Sequence, residues 1–153
     1  FTEEFYRRIV GGRLGPVLDT VKRAKDLGIF LELTYLIIPT LNDSEDEIRD
    51  FAKWVADKID PLTPVHFSRF HPDYMLTHIP RTPMAVMERA YDIAREEGLS
   101  YVYMGNVWES DRESTYCHNC GALVIKRQIY SINTRGLDGD RCRKCGAKLP
   151  VVV

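Results

Sequence analysis

Two Cys-x-x-Cys pairs, Cys117-His118-Asn119-Cys120 and Cys142-Arg143-Lys144-Cys145, constrain the end of this chain more tightly than any other feature. Each pair is followed by a glycine, Gly121 and Gly146, and 21 residues separate the pairs. Two-residue spacing lets both thiolates of a pair reach one ion across a tight turn, and a following glycine lets the backbone close around the sulfurs. Two such knuckles predict a tetrahedral four-sulfur site, a small zinc ribbon with one structural zinc on Cys117, Cys120, Cys142 and Cys145. The intervening ALVIKRQIYSI supplies a hairpin strand, and 134–139 carries turn chemistry.

Two disulfides are the competing reading, and a chain without a targeting segment favours metal over them. Mononuclear iron takes the same four ligands and stays open as an alternative to zinc. Four thiolates leave no open coordination position, so the ion is a folding element rather than a catalyst. His118 lies inside the first knuckle, where the second has Arg143, and is expected to be exposed.

With 153 residues and 44% hydrophobic content the chain can bury one core plus one small module. It has no stretch of the roughly 20 apolar residues that a membrane span needs, and FTEEFYRRIV does not read as a signal peptide. A soluble, cytoplasmic chain with no membrane partner is expected. It begins with Phe1 in a helix-like pattern, which suggests the remainder of something longer. From residue 117 onward seven Lys and Arg face two Asp, so the tail is basic and the rest acidic. A mildly basic face is usually just solvated.

Apolar positions Val17, Leu18, Val21, Ala24 and Leu27, with Pro16 early and Gly28 after, predict a helix. FLELTYLII (30–38) reads as a largely buried strand. Ser44 and Glu47 form a capping-box pattern ahead of a second helix carrying Ile48, Phe51, Ala52, Val55 and Ile59. VHFSRF (65–70) is the next strand, Thr82 and Pro83 open a third helix that Gly98 ends, and YVYM (101–104) follows. Strands alternating with single helices are parallel, as in a doubly wound sheet or a TIM-type barrel, and chemistry then sits at the strands' carboxyl ends. Three strands cannot close an eight-stranded barrel, so the sheet is either small and open or lacks strands before it.

The ordered set Ile37-Ile38-Pro39-Thr40-Leu41-Asn42-Asp43-Ser44, His66-Phe67-Ser68-Arg69-Phe70-His71-Pro72-Asp73-Tyr74, Tyr103-Met104-Gly105-Asn106 and Thr115-Tyr116-Cys117 closely resembles the carboxyl-terminal half of the AmmeMemoRadiSam system radical SAM enzymes. Those are relatives of pyruvate formate-lyase activating enzymes. The resemblance implies an α/β chain: the C-terminal portion of a partial TIM-like barrel over 1–108, then a zinc ribbon over 109–153 with 109–115 as linker. It also implies an enzyme that cleaves S-adenosylmethionine with a 4Fe-4S cluster. The cluster motif C-x-x-x-C-x-x-C is absent, so the chain alone is expected to be inactive and to need a missing N-terminal barrel portion. Its substrate stays unknown. The family usually reads Pro-Gly where this chain has Pro39-Thr40, so Thr40 is expected to be strained if that loop needs positive φ.

Five residues are cofactor-side candidates. Pro39, Asn42 and Asp43 fit a family loop lining the cofactor, though Asn-Asp before a serine cap is also ordinary turn chemistry. His71 matches a histidine near the cofactor in the relatives, able to hydrogen-bond adenine or ribose. Arg69 faces either the barrel interior, toward a substrate carboxylate, or a nearby Asp. His66 is expected to pack rather than react. No catalytic constellation stands on its own. The rival reading is a non-enzymatic zinc-ribbon protein binding nucleic acid or a partner protein; nucleic acid is disfavoured because beyond Tyr116 the tail has only Tyr130 for stacking.

Overall fold

The computed structural model describes residues 1–107, 111–128 and 131–152. The boundary at 108, the first two linker positions (109 and 110) and Tyr130 therefore lie outside the described residues.

The chain opens with a short helix α1 (Glu3–Phe5) that widens into a π-helical turn (Tyr6–Val10), stopped by Gly11 at φ 73°. Then follow α2 (Leu14–Asp26), β1 (Leu33–Ile37), α3 (Glu45–Lys58), β2 (Val65–Arg69), α4 (Met84–Glu96) and β3 (Val102–Gly105). Gly28 (φ 72°) and Gly98 (φ 93°) take the left-handed conformation that ends α2 and α4. The Ser44 side chain accepts from the Glu47 N–H. Glu47 does not complete a reciprocal box; its carboxylate accepts from the Tyr35 hydroxyl at 3.2 Å.

The three strands are parallel in the order β1-β2-β3. Register puts Leu33, Val65 and Val102 in one row and Tyr35, Phe67 and Met104 in the next. Both rows meet α3 through Ile48, Phe51, Ala52 and Val55, and α4 through Met87, Ala90, Ile93 and Ala94, in one core. Both crossover helices therefore cover the same face. Arg49 and Arg89 tie them at the surface through Glu45, Glu96 and Glu97.

The opposite face carries the rows Thr34, His66, Tyr103 and Leu36, Ser68, Gly105. At β3 it is covered by the cysteine module. This consists of β4 (Thr115–Tyr116), β5 (Leu123–Gln128) and β6 (Ser131–Asn133) in one antiparallel sheet, and β7 (Leu137–Asp138) with β8 (Arg141–Cys142) in a second. Val124, Ile125, Leu137 and Leu149 share an apolar cluster with Tyr101 and Tyr103, so the module's core is built partly on β3.

Two expectations change at the sheet's edge. The apolar run 30–38 yields only five strand residues, with Thr34 and Leu36 exposed, because β1 pairs on one side only. The helix expected from Val17, Leu18, Val21, Ala24 and Leu27 forms as α2, but none of those five is fully buried: Leu18, Val21 and Ala24 are half-buried, Val17 and Leu27 exposed, and the buried residue of α2 is Leu14. Between α2, the first turn and β1 lies an apolar cavity of about 340 Å³ walled by Phe5, Val10, Val21, Leu36 and Trp54. No helix of the described residues is long and apolar enough to cross a membrane.

Candidate metal centre and strand-end rim

The two knuckles repeat one local geometry. In the first, the Gly121 N–H donates to the Cys117 carbonyl at 2.9 Å and the Cys117 N–H to the Ala122 carbonyl at 2.8 Å. In the second, Gly146 donates to Cys142 at 2.7 Å and Cys142 to Ala147 at 2.9 Å. Gly121 (φ 68°) and Gly146 (φ 75°) take the positive φ that this closure requires.

All four Sγ atoms lie within 4.8 Å of one another. Cys117 and Cys145 approach to 3.6 Å and Cys120 and Cys142 to 3.8 Å. Four sulfurs each ~2.3 Å from one ion define a tetrahedron with edges of ~3.8 Å, whereas a disulfide needs ~2.05 Å. The cysteines are free thiols whose spacing suits a metal ion such as zinc. The Ala147 N–H and the Asn119 amide favour the Cys145 thiolate and pull its pKa down to about 6. Cys120 also receives an N–H, from Ala122, but desolvation and the other three sulfurs outweigh it and push its thiol up to about 11. Thiolates are the ligating form, and a bound divalent cation in turn stabilises their charge. His118 is exposed, and its Nδ1 lies 2.7 Å from the Tyr101 hydroxyl, which couples the first knuckle to the start of β3.

At the carboxyl ends of the parallel strands, the three non-glycine residues with positive φ in the described chain cluster by position. Thr40 (φ 66°) follows β1, Tyr74 (φ 48°) follows β2 and Asn106 (φ 58°) follows β3. Such strained backbone persists only where the surroundings impose it.

Of the candidates on this rim, Asn42 is buried: its Oδ1 accepts from the Ile38 N–H at 2.7 Å and its Nδ2 donates to the Leu36 carbonyl at 2.9 Å. Asp43 accepts from the Thr40 N–H at 2.8 Å, and Pro39 is buried beneath them. These three build the turn that holds Thr40. His71 is exposed on the β2 exit. Arg69 differs from both expectations. Register pairs it with Ile37 on the helix-covered face, and its Nε donates to the Thr82 carbonyl at 2.6 Å rather than to a carboxylate.

Thr82 itself was hidden in a Thr-Pro helix start. Fully buried, it donates to the Ile37 carbonyl at 2.6 Å and accepts from the Phe70 N–H at 3.0 Å, closing the excursion 71–81 back onto β1 and β2. His66 packs as expected, its ring stacked on Tyr103 at 4.9 Å.

Fold and site together define a mixed α/β protein with a four-cysteine cluster able to hold a metal ion. No protein-family profile matches the chain. It is 47% identical over 152 residues to uncharacterized protein MJ0808 of Methanocaldococcus jannaschii, an alignment that takes in 98% of this chain and 46% of that protein. The chain thus spans under half the length of this relative. A shorter match, 45% identical over 49 residues, joins 31% of the chain to 14% of a GTP 3',8-cyclase of Listeria welshimeri.

Proposed function

We propose that this chain is the carboxyl-terminal part of a radical SAM enzyme resembling the AmmeMemoRadiSam and pyruvate formate-lyase activating enzymes. In this reading barrel units over 1–108 carry a structural zinc ribbon over 109–153. The observation that supports it best is the sequential order β1-β2-β3 with both crossover helices on one face. Right-handed crossovers that always step the same way keep their helices on one side and curl the sheet toward a barrel, whereas a doubly wound sheet reverses direction.

The opposite face fits a barrel interior, since Thr34, His66 and Ser68 make it polar at β1 and β2 apart from Leu36. The unpaired edge of β1 and the apolar cavity beside it are where a preceding parallel strand would seat, and the relative's greater length leaves room for such strands. The partial match to GTP 3',8-cyclase adds a weak link to the radical SAM class.

S-adenosylmethionine and the 4Fe-4S cluster would be held mainly by the upstream strands. The four cysteines of this chain are all gathered in the ribbon, so the chain has none left to ligate a cluster. Its contribution would be the rim of Thr40, His71 and Asn106, positioned by the Asn42 and Thr82 hydrogen bonds.

A non-enzymatic nucleic-acid-binding ribbon is less well supported. Arg127, Arg141 and Arg143 donate to the carbonyls of Glu113, Gly146 and Leu137, and Lys148 pairs with Asp140, so much of the basic tail is engaged internally.

The test is anaerobic reconstitution of this chain and of the longer natural protein, followed by assay for 5'-deoxyadenosine. The longer protein is expected to bind the cluster and turn over, and this chain to do neither. Turnover by the 153 residues alone, or no cluster in the longer protein, overturns the proposal.

A further inference from the structure

The cysteine module and the open face of the sheet enclose a cavity of about 390 Å³, which runs from Glu32 and Pro64, ahead of β1 and β2, to Gly105 at the end of β3. Its charged groups stand on different elements. Arg127 comes from β5, Glu113 from the turn before β4, and Glu32 from the residue before β1.

Arg127 is half-buried and held in place. Its Nη1 donates to the Thr115 hydroxyl at 2.7 Å and the Glu113 carbonyl at 3.1 Å, and its guanidinium lies 5.6 Å from the centre of the Tyr103 ring. No carboxylate among the described residues pairs with it, which leaves Nε and Nη2 as donors without an anion. A half-buried guanidinium so placed favours an anionic ligand.

The other side is anionic. The Glu32 carboxylate lies 3.2 Å from His66 Nε2, yet off the line of that N–H, so the buried ring nitrogen has no aligned hydrogen bond. Tyr103 lies between the two charges. Burial raises its phenol pKa, the Thr115 hydrogen bond and Arg127 oppose that, and Glu32 adds to it.

A simple anion here would meet Arg127 but also Glu32 and Glu113, and a simple cation would meet both acids but also Arg127. A ligand with both charges is penalised by neither. We propose that this cavity binds a small zwitterion of the amino-acid class, its carboxylate toward Arg127 and its ammonium toward Glu32. Pro64, Pro150 and Val151 supply apolar wall for a short side chain. This proposal uses none of Thr40, His71 or Asn106; it shares His66 with the sheet face that the radical SAM reading turns toward the barrel interior, but its test reads ligand binding alone and needs neither cluster nor turnover.

The experiment is an amide NMR titration of the metal-loaded chain with L-alanine and 4-aminobutyrate, with propionate and ethylamine as single-charge controls. One or both zwitterions are expected to move the His66, Tyr103 and Arg127 amides saturably, with the single-charge controls at least ~10-fold weaker. Arg127→Met and Glu32→Gln should each weaken binding by ~10-fold or more. Because Arg127 also holds Thr115, the Glu32→Gln variant, on a half-exposed side chain, decides the matter if Arg127→Met misfolds. Absence of any saturable shift, propionate binding as tightly as the zwitterions, or unchanged affinity in Glu32→Gln overturns the proposal.

Discussion

The Thr82 hydroxyl donates to the carbonyl of Ile37, 45 residues earlier in the chain, at 2.6 Å. The same oxygen accepts from the Phe70 N–H, so one buried side chain ties the exits of two neighbouring strands to the start of α4. Thr82→Val keeps the shape but leaves a buried carbonyl and a buried N–H without partners. Each such orphan costs ~1–3 kcal/mol, so a loss of ~2–4 kcal/mol is expected in urea unfolding, with Thr82→Ser retaining most of the stability. A loss below about 1 kcal/mol in the valine variant would mean that the strand exits are held by other contacts.

The knuckles were legible in the sequence because a metal-ligand pattern is local: two residues between thiols and a glycine after them dictate the turn. The three parallel strands were legible for a similar reason, each being a short apolar run between amphipathic helices. What the residues could not reveal was pairing across distance. Arg69 resembled a residue seeking a carboxylate, but its partner is a carbonyl 13 positions away. Thr82 resembled a helix start, and its role depends on Ile37. The polar cavity joins residues 32, 66, 103 and 127, whose proximity follows only once the module folds back onto β3.

Thr40 adopts φ 66°, a conformation that crowds a β-branched side chain. Thr40→Gly removes a penalty of ~1–2 kcal/mol and adds a smaller entropic cost, so thermal unfolding should shift upward by the equivalent of ~0.5–1 kcal/mol. The Thr40 N–H to Asp43 bond is retained in the variant, since it is a backbone donor. A destabilised glycine variant would show that the threonine side chain makes a compensating contact.

Gly136 is required by space rather than by φ. A Cβ there would lie 2.5 Å from both the Leu123 carbonyl oxygen and the Val124 Cα, which belong to the backbone of β5 and cannot rotate aside. Gly136→Ala should therefore separate the β7–β8 hairpin from β5 and abolish metal retention on gel filtration, while α3 and α4 keep their helical signal. Full metal content in the alanine variant would show that β5 can shift to accommodate the methyl group.

The surface network of Arg89 and Arg49 with Glu45 and Glu96 predicts a pH response of definite sign. The Arg89 hydrogen bond holds the Glu45 carboxyl below its usual value of 4.5, and Arg89 with Arg49 does the same to Glu96. Carboxyls depressed in the folded state stabilise it above their unfolded pKa, and that contribution disappears as pH falls below 4.5 through the folded values. These groups are exposed, so the effect should be small and should shrink further in ~0.5 M salt. Unfolding midpoints measured from pH 6 to 3 should decline less steeply in the Glu45→Gln, Glu96→Gln double variant than in the parent. Parallel declines would assign acid sensitivity to other groups.

The metal centre carries the last prediction. A chelator at neutral pH should remove one ion per chain, and with it the order of 115–149, because the cysteine module buries little beyond Val124, Ile125, Leu137 and Leu149. Cys142→Ser should release the ion, since three thiolates and a hydroxyl bind it far less tightly. Arg143→Ala should retain it, because Arg143 donates to the Leu137 carbonyl and not to a sulfur, although that change should loosen β7. The loss should also reach the sheet: Tyr101 and Tyr103 share the module's apolar cluster, and Tyr101 holds His118, so chelation should expose both tyrosines to solvent. Elemental analysis with tyrosine fluorescence before and after chelation tests both parts. Metal-free chain with unchanged tyrosine emission would mean that the module packs on β3 without its ion.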